Sequence, residues 1–389
     1  MLKENWTYKK FSEVFNLQMG KTPSRDNLAY WGGNNVWVSI ADLKDKYIES
    51  SKEHITDIAV SESGINKVPQ GTAIMSFKLT IGRSAITKCD LFTNEAIMSF
   101  EPKEKNILAA DYIYYYLKGC KWTGANKAVM GQTLNKKTIS ENIFAYPSIE
   151  IQSRIVFELD LLQSIIDKQQ AQLKELDKLA QAVFYDMFGD PVENEKGWDV
   201  IEMGELFEIG SSKRVFEAQW TESGVPFYRA REIVKLSKNE PIDSPIFISE
   251  ELYQEYSKKY GVPSAGDMMV TAVGTLGVTY IVKASDKFYF KDGNTLWFKS
   301  KGLCETRFIK DEYSTDYVIR QIQGNANAAV VGTYTIMNAK KTKVVVPPIS
   351  SQKKYVAIVE NIDKQKAAIS QSMAETQKLF DYTMDKYFG

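Results

Sequence analysis

Histidine and cysteine, which supply many metal and nucleophilic sites, are scarce in this sequence. His54 is the only histidine, which excludes most catalytic triads and metal sites, and we expect it to be a surface or packing residue. The three cysteines, Cys89, Cys120 and Cys304, lie far apart in the chain. This spacing argues against a disulfide framework and against a zinc cluster, so we predict free, buried thiols.

The sequence also lacks long apolar runs and an excess of charge of either sign. No segment has the apolar length needed to cross a bilayer, and residues 1–6 do not resemble a secretory signal, so we expect a soluble, cytoplasmic protein without a membrane partner. Lys+Arg and Asp+Glu number 49 each. A nucleic-acid function would therefore require basic residues gathered on one face, or phosphate contacts supplied by partners.

Two short motifs that would indicate enzymatic chemistry are incomplete. Gly20-Lys21-Thr22 is similar to the end of a phosphate-binding loop, but Phe15 stands where that loop needs its first glycine and Pro23 follows where a helix should begin. Residues 346–349 are similar to the double-proline motif of amino-methyltransferases, but they lack the polar and aromatic residues that would hold a flipped base. The sequence therefore does not predict nucleotide binding or methyl transfer by this chain.

What the sequence does contain is an internal repeat with a displacement of roughly 200 residues. The two copies open with the same apolar spacing, in Trp6, Phe11, Val14 and Phe15 and in Trp198, Met203, Leu206 and Phe207. Later, Ile81-Gly82 matches Leu276-Gly277, and Asp111-Tyr112-Ile113 matches Asp316-Tyr317-Val318, each ahead of an apolar helical run. We infer one mixed α/β module that is used twice.

Each copy continues through a proline-containing boundary and a glutamine, Gln152 or Gln352, into a long helical pattern with a heptad seam. Such a seam could also reflect packing on a neighbouring domain, but two seams in matching phase favour pairing with each other. The apolar seam residues are Ile155, Leu159, Leu162, Ile166, Leu173 and Leu176 in the first helix, and Val359, Ile362, Ile369, Met373 and Phe380 in the second.

These patterns predict an α+β fold of two similar mixed α/β domains, separated by two long antiparallel helices that form a coiled coil, with pseudo-twofold internal symmetry. The predicted domains are residues 1–150 and 190–348, and the predicted spacer helices are residues 151–189 and 349–389. At about 1.5 Å per residue, each helix would be on the order of 50 Å long.

The whole chain resembles the specificity subunits of type I restriction-modification systems. The resemblance rests on the order of several motifs, on their partial repetition and on the two seams. In the first copy these motifs are Gly20-Lys21-Thr22-Pro23-Ser24-Arg25, Tyr30-Trp31-Gly32, residues 37–43, Ile81-Gly82-Arg83 and Asn94-Glu95-Ala96. The second copy departs from them, with residues 210–214 and Arg229-Ala230-Arg231 at the corresponding places, which fits two domains that read different sequences.

The resemblance implies a non-catalytic subunit in which each domain reads one half of a bipartite double-stranded DNA target. It further implies that the helices space the half-sites and dock two methyltransferase subunits, through which restriction subunits join. Cofactors would then lie outside this chain: S-adenosylmethionine in the methyltransferase partner, and ATP and magnesium in the restriction partner. This chain is expected to hold no cofactor or metal.

Within that resemblance we predict DNA contacts from residue chemistry, because Arg and Lys bind guanine or phosphate, Asn and Gln read adenine, and hydroxyls anchor the backbone. In the first domain the predicted residues are Lys21, Thr22, Ser24, Arg25, Lys78, Thr80, Arg83, Gln132, Asn135, Lys136 and Lys137. In the second they are Lys213, Arg214, Arg229, Arg231, Thr275, Thr333, Tyr334, Asn338, Lys340 and Lys341. For each of them, an ordinary solvated surface position is the competing interpretation.

Two other functions compete with this one. The heptads and the zero net charge also fit a protein-binding scaffold that never reads DNA, while a methyltransferase or nuclease acting alone is disfavoured by its missing motifs. The sequence does not reveal the bases of either half-site, the spacer length, or which polar residues touch bases rather than phosphates. It also leaves open whether the isolated chain binds DNA or self-associates.

Overall fold

The computed structural model contains two compact units. Unit 1 comprises Met1–Ala171 and Ile369–Gly389, and unit 2 comprises Gln172–Ala368. The structure describes residues 4–124, 126–128, 131–243, 246–324 and 332–389, with the backbone alone at 126–128 and 131–132. Each unit therefore combines a globular part with about half of each long helix, whereas the sequence pattern had set the helices apart as separate domains.

Unit 1 is a mixed α/β structure. Its strands are β1 Thr7–Lys10, β2 Phe15–Met19, β3 Trp31–Val38, β4 Tyr47–Ile48, β5 Glu53–Ile55, β6 Ala73–Ser76, β7 Ser84–Thr87, β8 Phe92–Thr93, β9 Ile97–Pro102, β10 Asn126–Ala128, β11 Gly131–Thr133 and β12 Ile143–Tyr146. Its helices are α1 Phe11–Val14, α2 Asp57–Ser63, α3 Ala110–Gly119, α4 Lys136–Glu141 and the first half of α5 Ile149–Phe188.

Unit 2 repeats this arrangement with insertions. Its strands are β13 Asp199–Glu202, β14 Phe207–Gly210, β15 Trp220–Thr221, β16 Val225–Tyr228, β17 Ile246–Ile248, β18 Met268–Thr271, β19 Thr279–Ile281, β20 Tyr289–Phe290, β21 Thr295–Ser300 and β22 Lys343–Val346. Its helices are α6 Met203–Leu206, α7 Ala230–Ser237, α8 Glu250–Tyr260, α9 Thr306–Glu312, α10 Asp316–Gly324, α11 Ile336–Lys341 and the first half of α12 Ile349–Phe388.

The sheets show that the sequence repeat is a structural repeat. The order β2-β9-β6-β7-β4 in unit 1 matches β14-β21-β18-β19 in unit 2, and β5-β3-β8 matches β17-β16-β20. Each unit also has an antiparallel pair of strands, β1 with β12 and β13 with β22. The first strand of each pair precedes the first short helix of its unit, α1 or α6, and the second precedes a long helix, α5 or α12. The predicted α+β architecture of two similar modules is confirmed.

An aromatic core fills unit 1 between its main sheet and α3. Phe144 in β12 is fully buried, and its ring lies 4.8 Å from that of Phe15 and 4.4 Å from that of Tyr116. In unit 2 the rings of Phe308 and Phe188 lie 4.9 Å apart against Tyr355. Buried aromatic side chains contribute large apolar areas, so these clusters fix how the helices pack on the sheets.

The glutamines at the start of the long helices have a structural role in both units. Gln152 is buried; it accepts a hydrogen bond from Ala109 N (3.0 Å) and donates to the carbonyl oxygens of Ile107 (2.8 Å) and Pro147 (3.0 Å). Gln352 likewise accepts from Glu305 N (2.9 Å) and donates to the carbonyl oxygen of Pro347. Each side chain satisfies backbone groups that would otherwise be buried without partners.

The glutamine contacts correct one correspondence that the sequence suggested. Because Ala109 and Glu305 occupy equivalent places, α3 corresponds to α9, and Asp111 corresponds to Arg307 rather than to Asp316. The Asp316-Tyr317-Val318 segment begins α10, a further helix of unit 2. The local pattern does not distinguish the two helices, because a charged residue before an apolar helical run fits any amphipathic helix.

The heptad pattern of the long helices is confirmed within each unit. In unit 1, Tyr387 donates to Glu158 (2.9 Å) and Gln169 donates to Ser372 (2.9 Å); in unit 2, Lys366 pairs with Asp177. In these three pairs the residue numbers increase along α5 while those of their partners decrease along α12, so the helices run antiparallel. The seam residues Ile155, Leu159, Leu162, Ile166, Val359, Ile362 and Phe380 are buried, and Leu173, Leu176, Ile369 and Met373 are half-buried.

All three cysteines are free, but only Cys304 is fully buried. Cys89 and Cys120 are half-buried, so the expectation of buried thiols is correct for one residue of three. Burial raises the pKa of the Cys304 thiol, and that of Cys120, to about 12, which keeps both thiols protonated and unreactive at neutral pH. His54 is half-buried in β5. In the described part of the chain, no helix combines the length and apolarity that a bilayer crossing requires.

Candidate nucleic-acid interface

Three polar segments of unit 1 converge on residues 93–97. Gly20 N donates to Ile97 O (3.1 Å) and Lys21 N to Thr93 O (2.8 Å), which fixes the loop after β2. A Cβ on Gly20 would lie 2.1 Å from Thr93 O, so only glycine permits this approach. Phe77 N donates to Ala96 O (3.0 Å), which brings the loop after β6 to the same place.

The third segment, the start of α4, is tied to the second by one backbone hydrogen bond. Leu134 N donates to Phe77 O (2.9 Å) immediately before the Asn135 cap, whose side chain accepts from Thr138 N (2.8 Å). Lys136 and Lys137 follow on the exposed first turn of the helix. The structure therefore brings together the three sequence segments that carry the predicted contacts of unit 1.

Arg25 is held by an aromatic and acidic cluster at the first of these loops. Its guanidinium carbon lies 3.9 Å from the centroid of the Trp31 ring, and its Nη2 donates to Glu53 (3.0 Å) while Nη1 makes a second bond to the same carboxylate. The hydrogen bond to Glu53 is the main reason why the pKa of Arg25 is raised, and it lowers the pKa of Glu53. Glu53 uses only the Nη1–Nη2 edge, which leaves the Nε edge for a guanine or a phosphate.

Carboxylates also orient the neighbouring polar side chains. The Thr22 hydroxyl donates to Glu95, and this hydrogen bond, together with the charges of Lys78 and Arg25, lowers the pKa of Glu95 against the effect of burial. The Lys21 ammonium donates to the carbonyl oxygen of Ser63. Ser24, Thr80 and Arg83 are exposed. The side chain of Gln132 lies outside the described residues.

Unit 2 builds a similar surface around residues 289–295. Ser212 Oγ donates to Phe290 O (2.7 Å) and Lys213 N to the Tyr289 hydroxyl (3.0 Å). Arg214 Nε donates to Asp292 (2.9 Å), so this arginine too is oriented by a carboxylate. Ala272 N donates to Asn294 O (2.9 Å), as Phe77 does to Ala96 in unit 1.

Two further arginines of unit 2 share one buried carboxylate. Arg229 Nη2 (3.2 Å) and Arg231 Nε (2.8 Å) both donate to Glu232, which is 2% exposed. Burial alone would raise the pKa of Glu232, yet the hydrogen bonds from both arginines lower it. The side chain of Arg231 is 59% exposed and can reach a ligand, whereas that of Arg229 is 28% exposed.

The remaining predicted residues of unit 2 divide into a surface set and one core residue. Thr275, Thr333, Lys340 and Lys341 are exposed and Asn338 is half-buried. Tyr334 is 1% exposed, and its hydroxyl is hydrogen-bonded to Tyr313 (3.1 Å) and to Thr342 (2.6 Å). A DNA contact through Tyr334 is therefore wrong, because the side chain fills the interior of unit 2 as Leu134 does in unit 1.

The sequence did not identify the acidic and aromatic residues that position these cations. Glu53 and Asp292 lie 28 and 78 positions from their arginines in the sequence, and nothing in their local pattern links them to Arg25 or Arg214. Glu232 lies next to Arg231, but the sequence does not show that it is buried and shared with Arg229. Trp31 was part of a recognised motif, but its stacking on Arg25 depends on the pairing of β3 with β5. Among the described residues, no group of histidine, cysteine and carboxylate side chains has the geometry of a metal site.

Comparison with known proteins gives consistent results. A family model described as the type I restriction modification DNA specificity domain matches residues 3–178 and again residues 195–377. The MjaIX specificity subunit of a type I restriction enzyme from Methanocaldococcus jannaschii is 29% identical over 280 residues, which are 66% of this chain and 64% of that relative. A putative type I restriction enzyme specificity subunit from Haemophilus influenzae is 23% identical, over 92% of this chain and 86% of its own.

Solved structures show the same fold. The crystal structure of a type I restriction-modification S subunit from M. genitalium aligns with a TM-score of 0.58 and 16% identity, over 100% of this chain and 98% of that one. A chain from a structural study of assembly and conformational transition in the type I restriction-modification system aligns with a TM-score of 0.63 and 14% identity, over 100% and 98%. At these identities the likeness concerns the fold.

Proposed function

Because this chain belongs to the family of type I restriction-modification DNA specificity proteins, we propose that it selects a bipartite DNA target for a methyltransferase and restriction complex. The observation that carries the proposal is the convergence, in each unit, of polar segments around one strand connection, residues 93–97 or 289–295. Family membership assigns the chain target choice within a complex with methylating and cleaving partners, and no catalysis of its own.

In this proposal, each unit reads one half-site with its converging segments. Arg25 and Arg231 are the strongest candidates for base contacts, since each is exposed and fixed by a carboxylate, and a fixed guanidinium loses less freedom on binding guanine. Lys136, Lys137, Lys340 and Lys341 lie on short exposed helices and suit phosphate contacts. Tyr334 is not part of the proposed set.

The carboxylates have a second consequence for binding. Glu53, Glu232 and Asp292 hold arginines in place but also cancel much of their charge, in a chain whose formal net charge is zero. Glu95, which accepts a hydrogen bond from Thr22, adds negative charge near Lys78 and Arg25. Affinity for DNA depends strongly on positive charge near the phosphates. We therefore expect the isolated chain to bind DNA weakly, with two methyltransferase subunits, docked on the helices, supplying further contacts.

The chemistry of modification lies in the partners under this proposal. Methylation of a base in duplex DNA requires extrusion of that base into a pocket, and S-adenosylmethionine would be held by the methyltransferase subunits. ATP and magnesium would serve the restriction subunits. This chain contributes sequence choice and the separation between half-sites.

The proposal predicts one discontinuous methylation motif in cells that express this chain with its methyltransferase subunit. The measurement is single-molecule sequencing of the genome of a host that otherwise lacks adenine methylation, with the methyltransferase subunit expressed alone as control. A continuous motif, or no motif although the complex can be purified, would contradict the proposal.

A second prediction separates DNA reading from the scaffold alternative. When residues 1–150 are replaced by the equivalent domain of a relative with a different target, one half of the motif should change completely while the other half stays. Exchange of residues 190–348 is the matched control and should change the opposite half. A scaffold that never reads DNA would leave both halves unchanged.

A further inference from the structure

Unit 1 contains a cleft beside its turn from Ile81 to Ser84, and the described residues of unit 2 differ at the equivalent turn. The cleft has a volume of about 500 Å³ and opens to solvent. It lies between Leu43 and Lys44 in the loop before β4, the turn from Ile81 to Ser84, and α3. Three cations line it: Lys44, Arg83 and Lys118. The ring of Tyr114 forms part of its wall, and its hydroxyl accepts a hydrogen bond from Lys118 Nζ (3.3 Å).

The charge of this cleft is not balanced by its own lining. No carboxylate lines it, and the nearby Asp111 and Asp160 are both engaged by Lys46, at 2.7 and 2.6 Å. Burial is the main reason why the pKa of Tyr114 is raised, and the charges of Asp160, Asp45 and Asp167 raise it further, but none of these three carboxylates lines the cleft. Partial desolvation lowers the pKa of Lys118, and the charge of Lys46 lowers it further. A bound anion would relieve this repulsion.

In unit 2 an apolar side chain lies against the equivalent turn. The turns correspond closely, because Gly82 N donates to Ser76 O (3.0 Å) just as Gly277 N donates to Thr271 O (2.9 Å). A Cβ on Gly277 would lie 2.7 Å from the side chain of Ile322 in α10, whereas one on Gly82 would meet only a backbone oxygen at 3.8 Å. The residue that follows is Arg83 in unit 1 and Val278 in unit 2.

We propose that this cleft is a phosphate-binding site that holds the DNA backbone beside the half-site read by unit 1, and that unit 2 lacks a counterpart. The proposal rests on the proposed function. Arg83 belongs to the same turn as Lys78 and Thr80, and Phe77 ties that turn to the Arg25 loop through residues 93–97. The cleft is therefore continuous with the polar segments that face DNA, and three cations suit a phosphodiester.

The test uses the complex with its methyltransferase subunits and the triple variant Lys44→Gln, Arg83→Gln and Lys118→Gln. None of these residues is buried, so the fold should tolerate the changes. We expect affinity for the cognate duplex at about 0.15 M salt to fall about tenfold or more, and the slope of log affinity against log salt to fall by about 1 to 2. The recognised sequence should not change, because phosphates carry no base identity.

A matched control removes the same charge from exposed lysines of unit 1 that do not line the cleft, as Lys9→Gln, Lys52→Gln and Lys105→Gln. It should change the slope by less than half as much. Phosphate ethylation interference should show, in the wild-type complex, a contact beside one half-site that the cleft variant loses. Equal slopes for the two triple variants, or an unchanged ethylation pattern, would overturn the proposal.

A second arm distinguishes DNA from a free phosphate compound. Calorimetric titration of the complex with ATP and with inorganic phosphate should show no saturable binding that depends on the three cations. Saturable binding that the cleft variant loses, with DNA affinity unchanged, would overturn the DNA assignment. If the wild-type complex itself has no sequence preference, it is the proposed function that fails, and the salt slope then tests the cleft alone.

Discussion

Replacing Phe144 by alanine is expected to lower the free energy of unfolding of unit 1 by about 3–5 kcal/mol. The side chain is fully buried in β12, and its ring meets those of Phe15, Tyr116 and Phe11 at 4.8, 4.4 and 5.3 Å. Truncation removes this buried area and leaves a cavity that the surrounding rings cannot fill without shifting. The loss is measured by urea denaturation of the purified chain, followed by circular dichroism.

The matched control for this prediction is Phe157→Ala on α5, where the side chain is 70% exposed. It removes the same atoms but little buried area, so the free energy of unfolding should change by less than about 1 kcal/mol. Phe144→Leu should give an intermediate loss. If Phe144→Ala costs no more than Phe157→Ala, the aromatic core does not stabilise unit 1 in the way the structure indicates.

The features that sequence alone predicted well are those that repeat or that follow a regular period. The opening aromatic and apolar residues, the proline-to-glutamine junction and the heptad seam each occur twice in the chain, and each occurrence supports the other. Gln152 and Gln352 show why such a signal is dependable. A side chain that satisfies several buried backbone groups at a chain crossing must recur wherever that crossing recurs.

The features that the sequence did not predict depend on contacts between distant segments. The match of Asp111 with Asp316 relied on local spacing, while the equivalence of α3 and α9 is set by hydrogen bonds to residues some 45 positions away. Tyr334 sits in a run of hydroxyl residues that suggests a surface, but its place in the core follows from the backbone pairing of residue 334 with Ala272. Such contacts have no local signature.

The candidate site was predicted in part for the same reason. Cations such as Arg25, Arg83 and Arg231 could be chosen by residue chemistry and motif order. The carboxylate partners of Arg25 and Arg214 could not, because Glu53 and Asp292 are 28 and 78 positions away from them in the sequence. Lys44 and Lys118 were missed since a single lysine in an ordinary polar pattern carries no signal until the fold closes a cleft around it.

Glu312 is expected to make the free energy of unfolding strongly dependent on pH. This side chain is 0% exposed in unit 2, where one oxygen accepts the amide hydrogen of Val345 and the other has no hydrogen-bond partner in the described chain. In unit 1 the equivalent residue is Tyr116, whose hydroxyl accepts from Ala145 N (3.1 Å) and donates to Ile143 O (3.0 Å). A carboxyl oxygen in unit 2 therefore accepts the backbone amide hydrogen that a phenol oxygen accepts in unit 1, but the donated bond of the phenol has no counterpart among the described residues.

Burial raises the pKa of Glu312 well above its ordinary value, so the carboxyl keeps its proton to a higher pH in the folded chain than an exposed glutamate does. In the unfolded chain the same group ionises above about pH 4.3. Between these two pKa values the folded state binds the extra proton, so the free energy of unfolding falls as pH rises, by up to about 1.4 kcal/mol per pH unit. Below the unfolded pKa, the contribution is fully present.

Replacing Glu312 by glutamine should remove this dependence, because an amide of nearly the same shape is neutral in both states. We expect E312Q to match the wild type near pH 4.5 and to exceed its free energy of unfolding by a margin that grows toward pH 8. Urea denaturation at several pH values measures this difference, with Glu255→Gln on an exposed face of α8 as the control. Parallel pH profiles for E312Q and the wild type would mean that Glu312 does not hold a proton in the folded chain. The titratable neighbours Tyr313, Tyr317 and Cys304 are common to both proteins, so they cancel in the comparison.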